Sequence, residues 1–312
     1  MSILLLFLPA IALLLMALCI ALSTYSTLRW RGSNPIREEY ISQITHLLIL
    51  GHRTAIKARS YRSRMALSQA IYIVVSHTYG NDNASLHVVV KQNRLDRFLM
   101  RRLRLSHGVQ RARLLMLMSA LTPSLYTAER FARYAHSQDK DIRISALCLT
   151  LAINPTLAIR SISSLKYQLS PYDIARIVAL LRRGILPIAY EPLLASDNHN
   201  LRMLGLAIIR SFGIEIAERQ LHNIIMTEQS PSLVSEAIYT LASLSRPLHH
   251  ARIRERVEHM DNCERKSLCR HLSAEGYSLP AIRKLFSESE SRYAETLINS
   301  YKRTLMRTNN SV

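Results

Sequence analysis

The 312-residue chain is poor in the residues that usually announce chemistry. It has one tryptophan, Trp30, and four cysteines, at positions 19, 148, 263 and 269. The cysteines offer no disulfide framework and lack the close pairing of a zinc site. Cys148, between Leu147 and Leu149, reads as a small buried apolar side chain, and so few thiols fit a reducing compartment. No Gly-rich phosphate loop, zinc-protease helix or nucleophile-elbow pattern occurs. The twelve histidines are scattered. Their nearest grouping, His249, His250 and His259, sits among Arg252, Arg254, Glu255, Arg256 and Glu258, where alternating charge describes a solvated helix face more simply than a metal or acid–base centre. Neither a metal nor a cofactor is expected.

Negative charge is scarce as well. Lys and Arg number 41 against 22 Asp and Glu, a net +19. The excess is uneven: residues 29–120 carry sixteen basic and four acidic side chains, residues 121–210 eleven and six, and residues 211–312 fourteen and twelve. A positive field of this kind attracts anionic surfaces, and salt screens it over about 10 Å.

Before Arg29 there is no charge at all. The apolar run from Ile3 to Ser23, at about 1.5 Å per residue, is long enough for a hydrocarbon core of about 30 Å. Pro9 predicts a kink more than a break. A cleaved signal peptide would carry a basic residue ahead of an apolar stretch of about 7–15 residues. Neither condition is met, so a retained helix over Ser2 to Thr24 is favoured over cleavage or lipidation at Cys19. Arg29, Arg31 and Arg37 predict that the downstream side is cytoplasmic, with Trp30 at the membrane interface between Arg29 and Arg31. The expectation is a single-pass membrane protein whose C-terminal domain is cytoplasmic.

Strand signals are missing downstream, apart from a local ambiguity at His87 to Val90. Apolar residues recur at helical spacing instead, interrupted by turn formers such as Asn154-Pro155, Ser170-Pro171 and Ser230-Pro231. The chain is therefore expected to be all-α: an anchor over 1–28, a basic linker and helical cap over 29–85, helical repeats over 86–304 and a flexible tail over 305–312. Aligning helices on a first apolar position gives anchors at Val109, Ile142, Ile174, Leu201, Leu233 and Glu264, separated by 33, 32, 27, 32 and 31 residues. Such a period is produced by stacked two-helix units, since a lone hairpin cannot bury its apolar face.

Leu193 to Gly213 (LLASDNHNLRMLGLAIIRSFG) resembles the second half of a HEAT repeat through Asp197, Leu201, Arg202, Gly205, Ile209 and Gly213, with Gly205 where Ala is more usual. Ser137 to Leu151 resembles it again through Asp139, Ile142, Arg143 and Ala146. The Leu233 unit departs from the pattern, with Val234 in place of the Arg, and the Glu264 unit puts an acid at the apolar position. The resemblance implies a right-handed HEAT-like superhelix of the armadillo-like class. It also implies that Asp139, Arg143, Asp197 and Arg202 bond across the turns and hold the stack together. It says nothing about a reaction, because a fold of this kind carries no activity by itself.

The strongest nonstructural signal is the run Arg94, Arg97, Arg101, Arg102, Arg104, Arg111 and Arg113, interleaved with Leu95, Phe98, Leu99, Leu103 and Leu105. Spacing directs the leucines to a core and the guanidinium groups outward. Three uses compete: anionic lipid headgroups, an acidic surface on a membrane or membrane-associated partner protein, and nucleic acid, the least favoured. The functional expectation is a non-catalytic membrane-anchored scaffold or adaptor. The alternative is a HEAT-like lyase or DNA glycosylase with a pocket among residues such as Trp30, Tyr126, Tyr134, Asp173, Tyr190 or His199. The oligomeric state is left open.

Overall fold

The computed structural model describes residues 34–50, 56–78, 84–121, 126–184, 189–248 and 251–309. Among them the chain is all-α, with seventeen α-helices, short 3₁₀ turns and no strand. The chain divides into two compact units, Met1–Ala158 and Ile159–Val312.

The first unit contains α1 (Asn34–Leu50), α2 (Tyr61–His77), α3 (Ala84–Gln92), α4 (Leu95–Leu105) and α5 (Gly108–Ala120). The one-turn α6 (Glu129–Ala132) runs on as a 3₁₀ turn, Arg133–His136, and α7 (Lys140–Ile153) follows. Each helix follows from local chemistry. The Ser60 hydroxyl accepts the Ser63 N–H at 3.0 Å and opens α2, whose buried Leu67, Ala70, Ile71 and Val74 recur three and four apart. Helix α4 buries Leu95, Leu99 and Leu103 at four-residue spacing. Asp139 caps α7 by accepting the N–H groups of Asp141 and Ile142 at 2.9 and 3.2 Å. Helix α7 buries Ile142 and every residue from Ile144 to Leu151, because it packs against α5 on one side and α6 with its 3₁₀ turn on another. Helices α1, α2, α5 and α7 pack in succession, while α4 leans on α2, α3 and α5. Burial of each leucine in this core contributes about 1.5–3 kcal/mol before chain entropy is charged against it.

Helix α8 (Pro155–Ser163) crosses the division point. The second unit continues with α9 (Pro171–Gly184), α10 (Glu191–Leu194), α11 (His199–Phe212), α12 (Glu218–Thr227), α13 (Pro231–Ser243), α14 (Ala251–Glu258), α15 (Asn262–Ala274), α16 (Leu279–Arg283) and α17 (Glu288–Asn309). Here α9, α11, α13, α15 and α17 pack each on the next, and α12 packs on α13 and α14. Helix α11 starts where Asn198 accepts the Leu201 N–H at 3.2 Å. It stops at Gly213, whose φ of +64° turns the chain so that the Ile214 N–H reaches the Ile209 carbonyl at 3.0 Å.

Two sequence expectations are corrected. Among the described residues no helix is long and apolar enough to cross a membrane. The longest, α17, carries Glu288, Glu290, Arg292, Glu295, Lys302, Arg303 and Arg307. The expected span at Ser2 to Thr24, with Arg29, Trp30 and Arg31, lies outside the described residues. The single-pass topology, the cytoplasmic orientation and the anchored scaffold are withdrawn with it.

The HEAT-like superhelix expected over 86–304 is the second correction. The division between units falls inside that stretch, and α6 and α10 are single turns of four residues where a two-helix unit needs a full helix. Val109, read as an apolar anchor, is 73% exposed, whereas Ile142, Ile174, Leu201 and Leu233 are buried.

Candidate functional site

The Arg-rich run forms α4 and α5, joined by Ser106 and His107. Because Leu95, Leu99 and Leu103 face inward, Arg97, Arg101 and Arg104 share the opposite, exposed face of α4. Among the described residues none of Arg94, Arg97, Arg101, Arg102, Arg104, Arg111 and Arg113 forms an ion pair with a carboxylate. The stripe ends beside two exposed apolar side chains, Leu105 at 68% and Val109 at 73% exposure.

Two further arginines of the run, Arg102 and Arg111, lie over aromatic rings. Tyr61 meets Phe98 edge-on at 5.5 Å, and the Arg102 guanidinium lies 5.1 Å from the centre of the Tyr61 ring. Arg102 and Arg113 border a cleft of about 300 Å³ with Tyr61, Met65, Gln69 and Leu117. Arg111 and Arg133 both lie over Tyr134, at 5.5 and 5.1 Å from its ring centre. Such contacts hold a guanidinium in place without cancelling its charge. A neighbouring cleft of about 220 Å³ is lined by Asp96, Arg97, Arg104, Arg130, Tyr126 and Phe131, among others. Burial, then the nearby Asp96 charge, pushes the Tyr126 phenol well above its ordinary value, which suits a packed ring and not a proton donor at neutral pH.

A third cleft, of about 460 Å³, was not singled out from the sequence, although its basic residues were visible there. Lys57, Arg59, Arg64 and Arg94 border it. The signal is the pattern of Ile56 to Arg59, which alternates inward Ile56 and Ala58 with outward Lys57 and Arg59. That alternation marks an extended segment, whereas the sequence suggested only a basic stretch leading into a helix.

The second unit uses arginine differently. Arg202 pairs with Glu228, Arg210 with Glu236, Arg246 with Glu215 at 2.6 Å and Arg265 with Glu290 at 2.8 Å. The Arg210 guanidinium also lies 4.3 Å from the centre of the Tyr239 ring, which stacks on His271 at 4.7 Å and donates its hydroxyl to Glu275 at 2.7 Å. Burial and the bond to Glu275 push the Tyr239 phenol up to about 12. Burial alone would raise Glu228 and Glu290. Hydrogen bonds from the Ser230 and Ser287 turns and the charges of Arg202 and Arg265 outweigh it and leave both carboxyls below the ordinary value.

The residues expected to bond across turns have mixed placements. Asp139 caps its own helix, and Arg143 Nη1 donates to the carbonyls of Ser137 and Gln138 in the turn just before it, at 2.9 and 2.8 Å. Asp197 is exposed. The side chain that reaches back is Asn198, whose Nδ2 donates to the Ser163 carbonyl at 2.9 Å. Of the residues named for a catalytic pocket, Asp173 sits in the turn opening α9, accepting the Ser170 hydroxyl at 2.6 Å, while Tyr190 and His199 lie at other helix starts. These three belong to the second unit, and Tyr126 and Tyr134 to the first. His249 and His250 lie outside the described residues, and among the described residues no three His, Cys, Asp or Glu side chains are grouped to hold a metal ion.

Comparison with known proteins finds no matching family, no matching curated protein and no matching solved structure. The HEAT resemblance at Leu193 to Gly213 therefore gives no family assignment.

Proposed function

We propose that this chain is a non-catalytic interaction module that docks an acidic partner protein on the outer face of α4 and α5. The observation that carries the reading is the Arg97, Arg101 and Arg104 stripe, three guanidinium groups on one exposed helix face with no ion pair to a carboxylate among the described residues. Unpaired like charges on one helix face repel, so the stripe carries a cost that a complementary surface removes. Leu105 and Val109 favour a protein over a nucleic acid. Exposed apolar side chains beside arginines have the composition of an interface centre, whereas phosphate backbones make no use of them.

The test is crosslinking of the full-length chain in its own cells, followed by identification of the captured proteins. A parallel culture carries Arg97→Gln, Arg101→Gln and Arg104→Gln together. The expected result is an acidic protein captured by the parent chain and lost from the variant. Equal capture by both, or capture of nucleic acid alone, would overturn the reading.

A further inference from the structure

The cleft bordered by Lys57, Arg59, Arg64 and Arg94 collects four cations, and among the described residues no carboxylate lines it. We propose that it is a phosphate-binding site, and that it takes a phosphorylated side chain carried by the acidic partner that docks on α4 and α5. This rests on the docking reading above.

The cleft is built, not incidental. Ile56 and Ala58 are buried at 2% and 4% exposure, which turns Lys57 and Arg59 outward from the same short segment. Three successive carbonyls of that segment are taken by side chains: Ile56 by Asn93 Nδ2 at 2.9 Å, Lys57 by the Tyr40 hydroxyl at 3.1 Å and Ala58 by Arg64 Nε at 3.3 Å. Asn93 is itself 7% exposed and also accepts the Ala58 N–H at 2.6 Å. The segment cannot swing away to relieve repulsion between its cations. Arg94, the residue after Asn93, has φ +52° and ψ +40°. A non-glycine side chain adopts that region at a cost, and here it closes the cleft with a fourth cation.

Charge density selects the ligand. A carboxylate brings one negative charge to the space of one side chain, whereas a phosphate monoester brings about 1.5 to 2 and three acceptor oxygens. Guanidinium groups bond it in forked pairs, and cations gathered at one cleft add their attraction for it. The volume of about 460 Å³ admits a phosphorylated side chain with its flanking backbone. Arg94 belongs to both the cleft and the α4 run, so one extended peptide can span the two.

The experiment uses the full chain and fluorescence anisotropy at fixed salt. One labelled peptide carries phosphoserine between two pairs of glutamates, and the other carries serine in its place. The phosphoserine peptide is expected to bind about tenfold more tightly or better, and inorganic phosphate is expected to compete that difference away. The double substitution Lys57→Gln and Arg59→Gln should erase the difference while the serine peptide binds as before, with the melting temperature reporting that the fold is kept. Equal binding of the two peptides to the unmodified chain, including no binding by either, overturns the proposal without reference to any variant. So does a difference that survives the double substitution, or tighter binding of a single-stranded RNA with the same dependence on Lys57 and Arg59. Failure of the docking reading has another signature: serine-peptide binding indifferent to the Arg97, Arg101 and Arg104 substitutions.

Discussion

Asn93 holds Ala58 across 35 residues of chain: the Ala58 N–H donates to Asn93 Oδ1 at 2.6 Å, while Asn93 Nδ2 donates to the carbonyls of Ile56 and Val89, both at 2.9 Å. The second unit repeats the device. Asn200, also buried, accepts the Leu169 N–H at 2.7 Å and donates to the Tyr167 carbonyl at 2.9 Å. An extended segment has no helix ladder to satisfy its peptide groups, so burying one requires a side chain that both donates and accepts. Asparagine does this in a single residue.

Replacing Asn93 therefore costs more than a lost contact. Asn93→Ala strands the Ala58 N–H and the Ile56 carbonyl away from water and is expected to destabilise the chain by about 2–4 kcal/mol. Asn93→Asp keeps the acceptor but loses both donor bonds, and should fall between the parent and the alanine variant. Urea denaturation followed by circular dichroism measures both. An unchanged midpoint for Asn93→Ala would remove the clamp from the argument, and with it the fixed position of Lys57 and Arg59.

Gly205 is a packing requirement. A methyl group at that position would meet Leu194 Cδ2 at 3.0 Å and Leu193 Cβ at 3.2 Å. The end of the Leu194 side chain can yield, but Leu193 Cβ is fixed to the α10 backbone. Alanine gains about 1 kcal/mol of helix propensity over glycine, and overpacking costs about 1–3 kcal/mol. Gly205→Ala is expected to lower the melting temperature, and Gly205→Val to lower it further. A rise with alanine would show that α10 moves aside freely.

How far the sequence reaches can be judged at particular residues. Leu95, Leu99 and Leu103 against Arg97, Arg101 and Arg104 is a periodic signal, and periodicity decides which face is buried without knowledge of the neighbours. The clamp of Asn93 on Ala58 is invisible to it, since two residues 35 positions apart share no local pattern. Gly205 was seen as a departure from Ala without its reason, because the reason lies on α10. The anchors at 109, 142, 174, 201, 233 and 264 are regularly spaced, yet spacing does not reveal that α6 and α10 are single turns. Arg202 was expected to bond across a turn, and its partner, Glu228, lies beyond the pattern that suggested the bond.

The two arginine populations should respond oppositely to charge removal. Arg97→Gln, Arg101→Gln and Arg104→Gln relieve repulsion and are expected to raise the melting temperature by about 1–3 °C together at low salt, with the gain shrinking as salt is added. Arg210→Gln instead leaves Glu236 without its charged partner and uncovers the Tyr239 ring, so it should lower the melting temperature. Calorimetry at two salt concentrations separates the cases. A stripe variant less stable than the parent at low salt would mean that those arginines pay for themselves within the fold.

His271 gives the second unit a pH dependence. Burial lowers its proton affinity, Glu236 opposes that, Arg210 and Arg270 reinforce it, and Glu275 opposes it. The folded chain therefore holds His271 neutral below its ordinary value of 6.5, where the unfolded chain already takes up a proton. Stability from this group is complete above 6.5 and is lost as the pH falls through 6.5 toward the lower folded value. His199, also lowered by burial and by Arg202 against Glu228, acts with the same sign. Glu228 and Glu290 lose their contributions only lower, below the ordinary carboxylate value of 4.5. Glu264, raised by burial and Asp261, has the opposite sign, but it is common to parent and variant and cancels in their difference. His271→Gln should melt at a lower temperature at every pH because the Tyr239 stack is weakened. Its loss of melting temperature between about pH 8 and about pH 5.5 should nevertheless be smaller than the parent's, with the remainder due to His199. Parallel melting curves across that range would show that His271 does not change its proton affinity on folding.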